Sequence, residues 1–353
     1  MLLTRRKILA SIALAALPLD NLSAASTPEK LVVLAGKAKV PGISATSIRQ
    51  GSIAASHHAG IASEMTGEPV TAVTRFEAAS LSKTVNALGI MRLVAEGKLD
   101  LDAPVNSQLT RWQLAGPHAG KVTTRHLLSH TGAITVHGFP GYAEGQPLPA
   151  LVTILRGMAP SNTPEVANDG RPGRAFRYSG GGITITQLLA EEVTGMTYSA
   201  HMVARVFGPL KMANSTFALI DNAATPHLAG SHNEEGREVQ GRFPRHPESA
   251  AAGLWTTSED MARAVLAIMQ GWRGEVEDFL PKALARQMFK APHGGAGLGI
   301  FVTGPGAFEH SGVNYGYRCI YAANAAKGTG HVIMTNGENG EKLFRPVSKL
   351  LAS

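Results

Sequence analysis

Strand-like segments lie at the two ends of this 353-residue chain, with little of that character between them. Near the start, PGISATSIRQGSIAASHHAGIA (residues 41–62) reads as two strands joined by a turn at Gln50-Gly51. Near the end, LGIFVTG, AFEH, YRCIYAAN and GHVIMTN have the apolar, β-branched character of strands. From about 100 to 245 the chain reads as short helices, TTRHLLSH, PALVTILRG, GITITQLLAEEVTG and HMVARVFGPL, separated by Gly- and Pro-rich loops. TTSEDMARAVLAIMQ reads as a helix opened by a Ser258 cap, and EKLFRPVSKLLAS as a last helix. Strands from both chain ends therefore build one sheet, from about 30–78 and 250–353, and the segment 98–245 forms a helical subdomain beside a cleft. The expected class is α/β (α+β).

The first 25 residues read differently. Arg5-Arg6 follows Thr4, an apolar run from Ile8 to Leu19 comes next, and Ser23-Ala24-Ala25 offers a cleavage site. This is the pattern of an export signal of the twin-arginine kind, and it predicts a periplasmic or secreted protein whose mature domain is 26–353. The apolar run is short for a bilayer span, so no stable membrane span is expected after cleavage. Removing residues 1–25 lowers the formal charge from +7 to +5, and the basic residues form no runs with interleaved aromatics, so nucleic-acid binding is not expected. Cys319 is the one cysteine, which excludes an internal disulfide; its place in YRCIYAAN predicts a buried core thiol.

The stretch FEAASLSKTVNALGIMRLVAEGKLDL (76–101) contains a helix from Ser80 to near Gly97 that is apolar almost all round, and so is mostly buried. Lys83 falls one turn beyond Ser80 on the same face. A serine hydroxyl is a poor nucleophile until a neighbour takes its proton, and a desolvated lysine of lowered pKa is able to do so. Ser-x-x-Lys is a short pattern, and its bland alternative is a lysine snorkelling from a core helix.

The surrounding segments supply a context. FEAASLSK, then FRYSGGGITITQLLAEEVTG, then FEHSG followed by VNYGYR occur in that order, with TTRHLLSHTGAI and AAAGLWTTSEDMAR between. In this the chain resembles the serine β-lactamases and penicillin-recognising enzymes, especially the class C-like branch with its esterases and D-amino-acid peptidases. The resemblance covers nearly all of the mature chain. It implies a β-lactamase/transpeptidase-like fold with an antiparallel sheet, and it carries roles onto matching positions. Ser80 would be the acyl-accepting serine, Lys83 its partner, and Tyr178 the proton relay. His310, Ser311 and Gly312 would form the third motif, with the backbone N–H groups of Ser80 and Val313 holding the oxyanion. Gly312 would let substrate and backbone approach closely.

Two positions depart from that pattern. The resemblance puts Gly180 beside the substrate, but the second motif, usually Tyr-x-Asn, here reads Tyr178-Ser179-Gly180 and lacks the amide that would bond a substrate acylamide; the third has His310 for the usual lysine, a weaker claim on a substrate carboxylate. Arg318 is a candidate replacement charge. Both departures favour carboxylesterase chemistry, with β-lactam hydrolysis or D-amino-acid peptide cleavage second and a penicillin-binding or sensor protein without turnover as a third reading. No metal or organic cofactor is implied, and the partners expected are small ester, β-lactam or peptide substrates. Among thirteen histidines, His126, His130 and His137 are the best metal candidates, but the glutamate of His-Glu-x-x-His is replaced by Leu127. His57 and His58 alternate across a strand and cannot face one site. The Gly-x-Ser-x-Gly pattern of α/β-hydrolases is missing.

Overall fold

The structure, a computed structural model, describes residues 25–220 and 225–352. The expected export segment thus lies, apart from Ala25, outside the described residues. Its main strands are β1 (Gly42–Arg49), β2 (Ser52–Ser63), β3 (Glu68–Pro69), β6 (Phe301–Gly304), β7 (Ala307–Asn314), β8 (Tyr317–Asn324) and β9 (Thr329–Thr335), with β4 (Phe76–Glu77) and β5 (Trp255–Thr256) forming a separate small pair. Among the described residues the main sheet has seven strands in the order β3-β2-β1-β9-β8-β7-β6. All its pairings are antiparallel. The two chain ends meet where β1 pairs with β9, Ile43 opposite Thr335 and Ile48 opposite Gly330.

β1 is buried on both faces, because helices cover the sheet on each side. On one face Ile43 and Ala45 pack with Leu31 and Ala35 of the helix Thr27–Ala38 and with Leu343, Val347 and Leu351 of the C-terminal helix Glu341–Ala352. Each fully buried Leu or Ile there contributes roughly 2 kcal/mol. On the other face Ile48 joins the larger core, which the helices Ser82–Ala95, Gly180–Thr194 and Ser258–Arg273 share. The expected cap of the last of these is corrected by one residue. Thr257 is the N-cap, accepting from the Asp260 N–H, while the Ser258 hydroxyl is turned to the sheet and lies 2.7 Å from both Ser44 and Thr46 hydroxyls.

The expected helical pieces of the middle region form, but Thr124–Leu128 and Leu151–Leu155 are little more than single turns. Gly180–Thr194 is the long one, and it starts two residues before GITITQ because Ser179 caps it, accepting from the Gly182 N–H. AFEH is the first half of a strand that continues through His310-Ser311-Gly312 to Asn314. Cys319 is fully buried on β8, and burial pushes its thiol up to about 12. No helix of the described residues is long and apolar enough to cross a membrane.

Candidate active site

Ser80 sits on a tight turn, Ala79–Leu81, immediately before the helix Ser82–Ala95. Ala79 has φ +49°, a left-handed conformation that costs a non-glycine residue roughly 1 kcal/mol or more and is a recurrent mark of functional turns. The turn is held from several sides. The Ala78 N–H donates to the Leu254 carbonyl, and the Ser82 hydroxyl donates to the Ala79 carbonyl while accepting from the Leu254 N–H. Deeper in the helix, Thr84 bonds the Gly299 carbonyl and Asn86 bonds Thr186 and Tyr198, so its buried polar side chains are paired.

Lys83 is 3% exposed. Its Nζ lies 2.9 Å from Ser80 Oγ and donates to the Ala251 carbonyl at 2.6 Å. Tyr178 reaches the same hydroxyl from the other subdomain, OH to Oγ 2.9 Å, and the Lys83 amine lies 5.1 Å from its ring centre. The three residues expected to act together therefore converge on one oxygen. His130 stacks on Tyr178 at 4.3 Å and accepts the Ser179 N–H on Nδ1, and His137 tilts against the same ring at 5.0 Å. His126 is turned away to bond Thr123, so these three histidines serve the local packing of two different segments.

Tyr178 is seated by the segment 130–139, in which His130, Ala133 and Val136 all have positive φ. Carbonyls of this segment accept the Ser179 hydroxyl and the N–H groups of Gly180 and Gly181. That satisfies donors at the helix start and fixes Tyr178 just before it. A side chain at Gly180 would begin 3.0 Å from the Phe139 ring and 3.2 Å from the His137 carbonyl. Gly180 accordingly lies under this segment and does not line the cleft, a correction to its expected place beside the substrate.

The third motif lies on β7. β6 pairs with β7 only as far as Glu309, which leaves the Ser311–Asn314 stretch facing the Ser80 turn. The close approach at Gly312 is to that turn: a Cβ there would lie 2.5 Å from the Ala78 carbonyl oxygen and 3.2 Å from Ala79 Cβ. His310 is buried, and its Nδ1–H donates to the Ser311 carbonyl at 2.7 Å. Burial first, and the nearby Lys83 charge second, push its pKa down to about 3, so this imidazole is neutral. The same causes, with His310 and His137 adding, hold His130 well below the usual histidine range. Val313 is 52% exposed at the mouth. Arg318 is not available to the cleft: its guanidinium is tied to Glu338 and to the Asn314 and Tyr317 carbonyls.

These groups enclose a cavity of about 500 Å³ lined by Ser80, Lys83, Tyr178, His310, Ser311 and Val313. Phe139, Phe301 and Asn314 also line it and were not anticipated from the sequence. Phe301 packs edge-on to His310 at 5.1 Å, and LGIFVTG marked it only as a strand residue. A larger cavity of about 830 Å³ lies across the sheet beside the C-terminal helix, near Arg49, Lys327 and His331, and contains none of the expected site residues. Chemistry selects the smaller one.

The chain is similar in sequence and fold to several known proteins. Esterase EstB of Burkholderia gladioli is 30% identical over 328 residues, covering 81% of this chain and 79% of the esterase. A putative penicillin-binding protein, PbpX of Bacillus subtilis, is 22% identical, covering 79% of this chain and 66% of its own. Among solved structures, the octameric penicillin-binding protein homologue from Pyrococcus abyssi superposes with a TM-score of 0.74 at 24% identity, covering 92% of this chain and 76% of that one. D-amino acid amidase from Ochrobactrum anthropi superposes with a TM-score of 0.67 at 22% identity, covering 86% and 90%. The profile of the Beta-lactamase family matches residues 29–352, and the chain belongs to that family.

Proposed function

We propose that this protein is a serine hydrolase that cleaves a neutral ester through an acyl-enzyme on Ser80. The observation that carries the reading is the convergence of Lys83 Nζ and Tyr178 OH on Ser80 Oγ, each at 2.9 Å. Tyr178, acting as phenolate beside the Lys83 ammonium, takes the Ser80 proton as Oγ attacks the carbonyl carbon. The N–H groups of Ser80 and Val313 stabilise the oxyanion that forms. As the tetrahedral species collapses, the alkoxide leaving group takes a proton from Tyr178, and water then releases the acyl group by the reverse steps.

Charge in the cleft supports an ester over a carboxylate-bearing β-lactam. Lys83 is the one lysine or arginine lining the cavity among the described residues, and it is engaged by Ser80 and Ala251. His310 is neutral and Arg318 is paired with Glu338. Phe139, Phe301 and Val313 offer apolar surface to an acyl or alkoxy chain. The similarity to an esterase is consistent with this. Export through the Arg5-Arg6 signal is part of the proposal and rests on the sequence alone.

Parallel hydrolysis of a short-chain p-nitrophenyl ester and a chromogenic cephalosporin, with Ser80→Ala as control, tests the reading. Ester turnover well above cephalosporin turnover is expected. The opposite ratio would make the protein a β-lactamase, and a single burst followed by no turnover would make it an acylated sensor.

A further inference from the structure

Behind the cavity lies a buried acid–imidazole pair. Glu77 Oε1 is 2.7 Å from His246 Nδ1, and both side chains are 1% exposed. Glu77 is in β4, three residues before Ser80, and its neighbour in sequence Ala78 packs against β7 at Gly312. His246 stands two residues before Glu248, whose carbonyl accepts the N–H groups of Ala251 and Ala252 and so forms the turn Ser249–Ala252. That turn presents two carbonyls to the site: Ala251 accepts Lys83 Nζ, and Ala252 accepts Asn314 Nδ2 at 3.1 Å. The Asn314 amide also lies 3.4 Å from His246 Nδ1, in contact with the pair. One cluster thus spans the segment bearing Ser80, the acceptor that holds Lys83, and the strand of the third motif.

Burial alone would lower the His246 pKa, but the Glu77 charge and hydrogen bond, with Glu248 adding, outweigh it and the pKa is raised. Lys83 opposes this. Removing one member of such a buried pair leaves the other without its partner, so the segments it joins must shift.

We propose that Glu77, His246 and Asn314 are positioning residues for the reaction of Ser80, acting through the Ser249–Ala252 turn to hold the Lys83 amine against the nucleophile. They touch neither Ser80 Oγ nor the reacting carbonyl; their effect is to keep Ala251 O, Lys83 Nζ and Ser80 Oγ in line. This rests on the serine-hydrolase reading above. A misplacement of reacting groups of the order of 1 Å costs about 100-fold in rate, so partial loss of the cluster is expected to cost about 10- to 100-fold.

The test uses Glu77→Gln, His246→Gln, the double variant, and Asn314→Ala, which leaves the charge pair intact and remains informative if the pair variants do not fold. Steady-state kinetics on a p-nitrophenyl ester are measured below each variant's unfolding temperature, together with the rate of labelling by a neutral alkyl fluorophosphonate. Each folded single variant is expected to lose kcat and labelling rate together, with KM changed less than about threefold, and the double variant is expected to lose no more than the worse single one. Variants that lose thermal stability but keep wild-type kcat and labelling would overturn the inference, as would fully additive losses. Wild type that is neither labelled nor active would sink the serine-hydrolase reading, and this inference with it; an active, labelled wild type beside unaffected variants would sink this inference alone.

Discussion

Adding one methyl group at position 312 tests how closely β7 and the nucleophile turn depend on each other. In Gly312→Ala the new Cβ would lie 2.5 Å from the Ala78 carbonyl oxygen, 3.1 Å from Leu81 Cδ1 and 3.2 Å from Ala79 Cβ. Leu81 can adjust, but the Ala78 oxygen is backbone, and its own N–H is tied to Leu254. Reaching an ordinary contact needs a movement of about 0.9 Å, and overpacking of this kind costs about 1–3 kcal/mol of stability. Because Ala78 is two residues from Ser80, the movement is passed to a hydroxyl that now sits 2.9 Å from both Lys83 and Tyr178. With about 100-fold lost per ångström of misplacement, kcat is expected to fall roughly 10- to 100-fold. Steady-state ester hydrolysis and a thermal melt on the same preparation measure both effects. A kcat within twofold of wild type, with the melt lowered or not, would refute the claim that Gly312 sets the position of Ser80.

Tyr178→Phe keeps the stack on His130 and removes the hydroxyl, so ester kcat/KM is expected to drop about 10²- to 10⁴-fold with little change in unfolding temperature; a small kinetic effect would remove Tyr178 from the proton path. Glu248 is buried with neither carboxylate oxygen bonded, and burial raises its pKa to about 7. Its folded pKa lies above its unfolded one, so the folded state holds the extra proton between about pH 4.5 and 7, and stability falls as pH rises through that window by roughly 3 kcal/mol. Glu248→Gln is expected to reduce that fall, read from melts at pH 5 and 8, and an unchanged slope would contradict it. His310 acts in the opposite direction: its folded pKa of about 3 lies below the unfolded value, so its neutral burial contributes stability that is complete above about pH 6.5 and lost as pH falls toward 3. His310→Gln is expected to lose less unfolding temperature between pH 7 and 4 than wild type does, and an equal loss would count against it.

The sheet built from both chain ends was legible because β-branched and apolar runs flank a Gly- and Pro-rich middle, and a half-buried strand must pair. The Gln50-Gly51 turn was legible for its backbone chemistry: both residues have positive φ. Ser80 and Lys83 were legible from helical spacing, whereas Tyr178 came from its likeness to a family motif, since nothing local in FRYSGG requires a tyrosine to cross the cleft. The helix Thr27–Ala38 was missed although Ser26 and Glu29 form a capping box before an apolar face. Gly180 was misplaced because the sequence names the missing amide but not what fills its room, the His137–Phe139 segment. Glu77 carried an unread signal: a carboxylate in the apolar run FEAAS, ahead of a buried helix, has to find a buried partner. That partner is 169 residues away, and no local pattern points to His246.

Acid-quenched mass spectrometry of the protein after mixing with a p-nitrophenyl ester bears most directly on the convergence of Lys83 and Tyr178 at Ser80. One acyl group on the peptide containing Ser80, absent from Ser80→Ala together with all turnover, is the expected result. Turnover that persists in Ser80→Ala, or an acyl group carried by another residue, would contradict it.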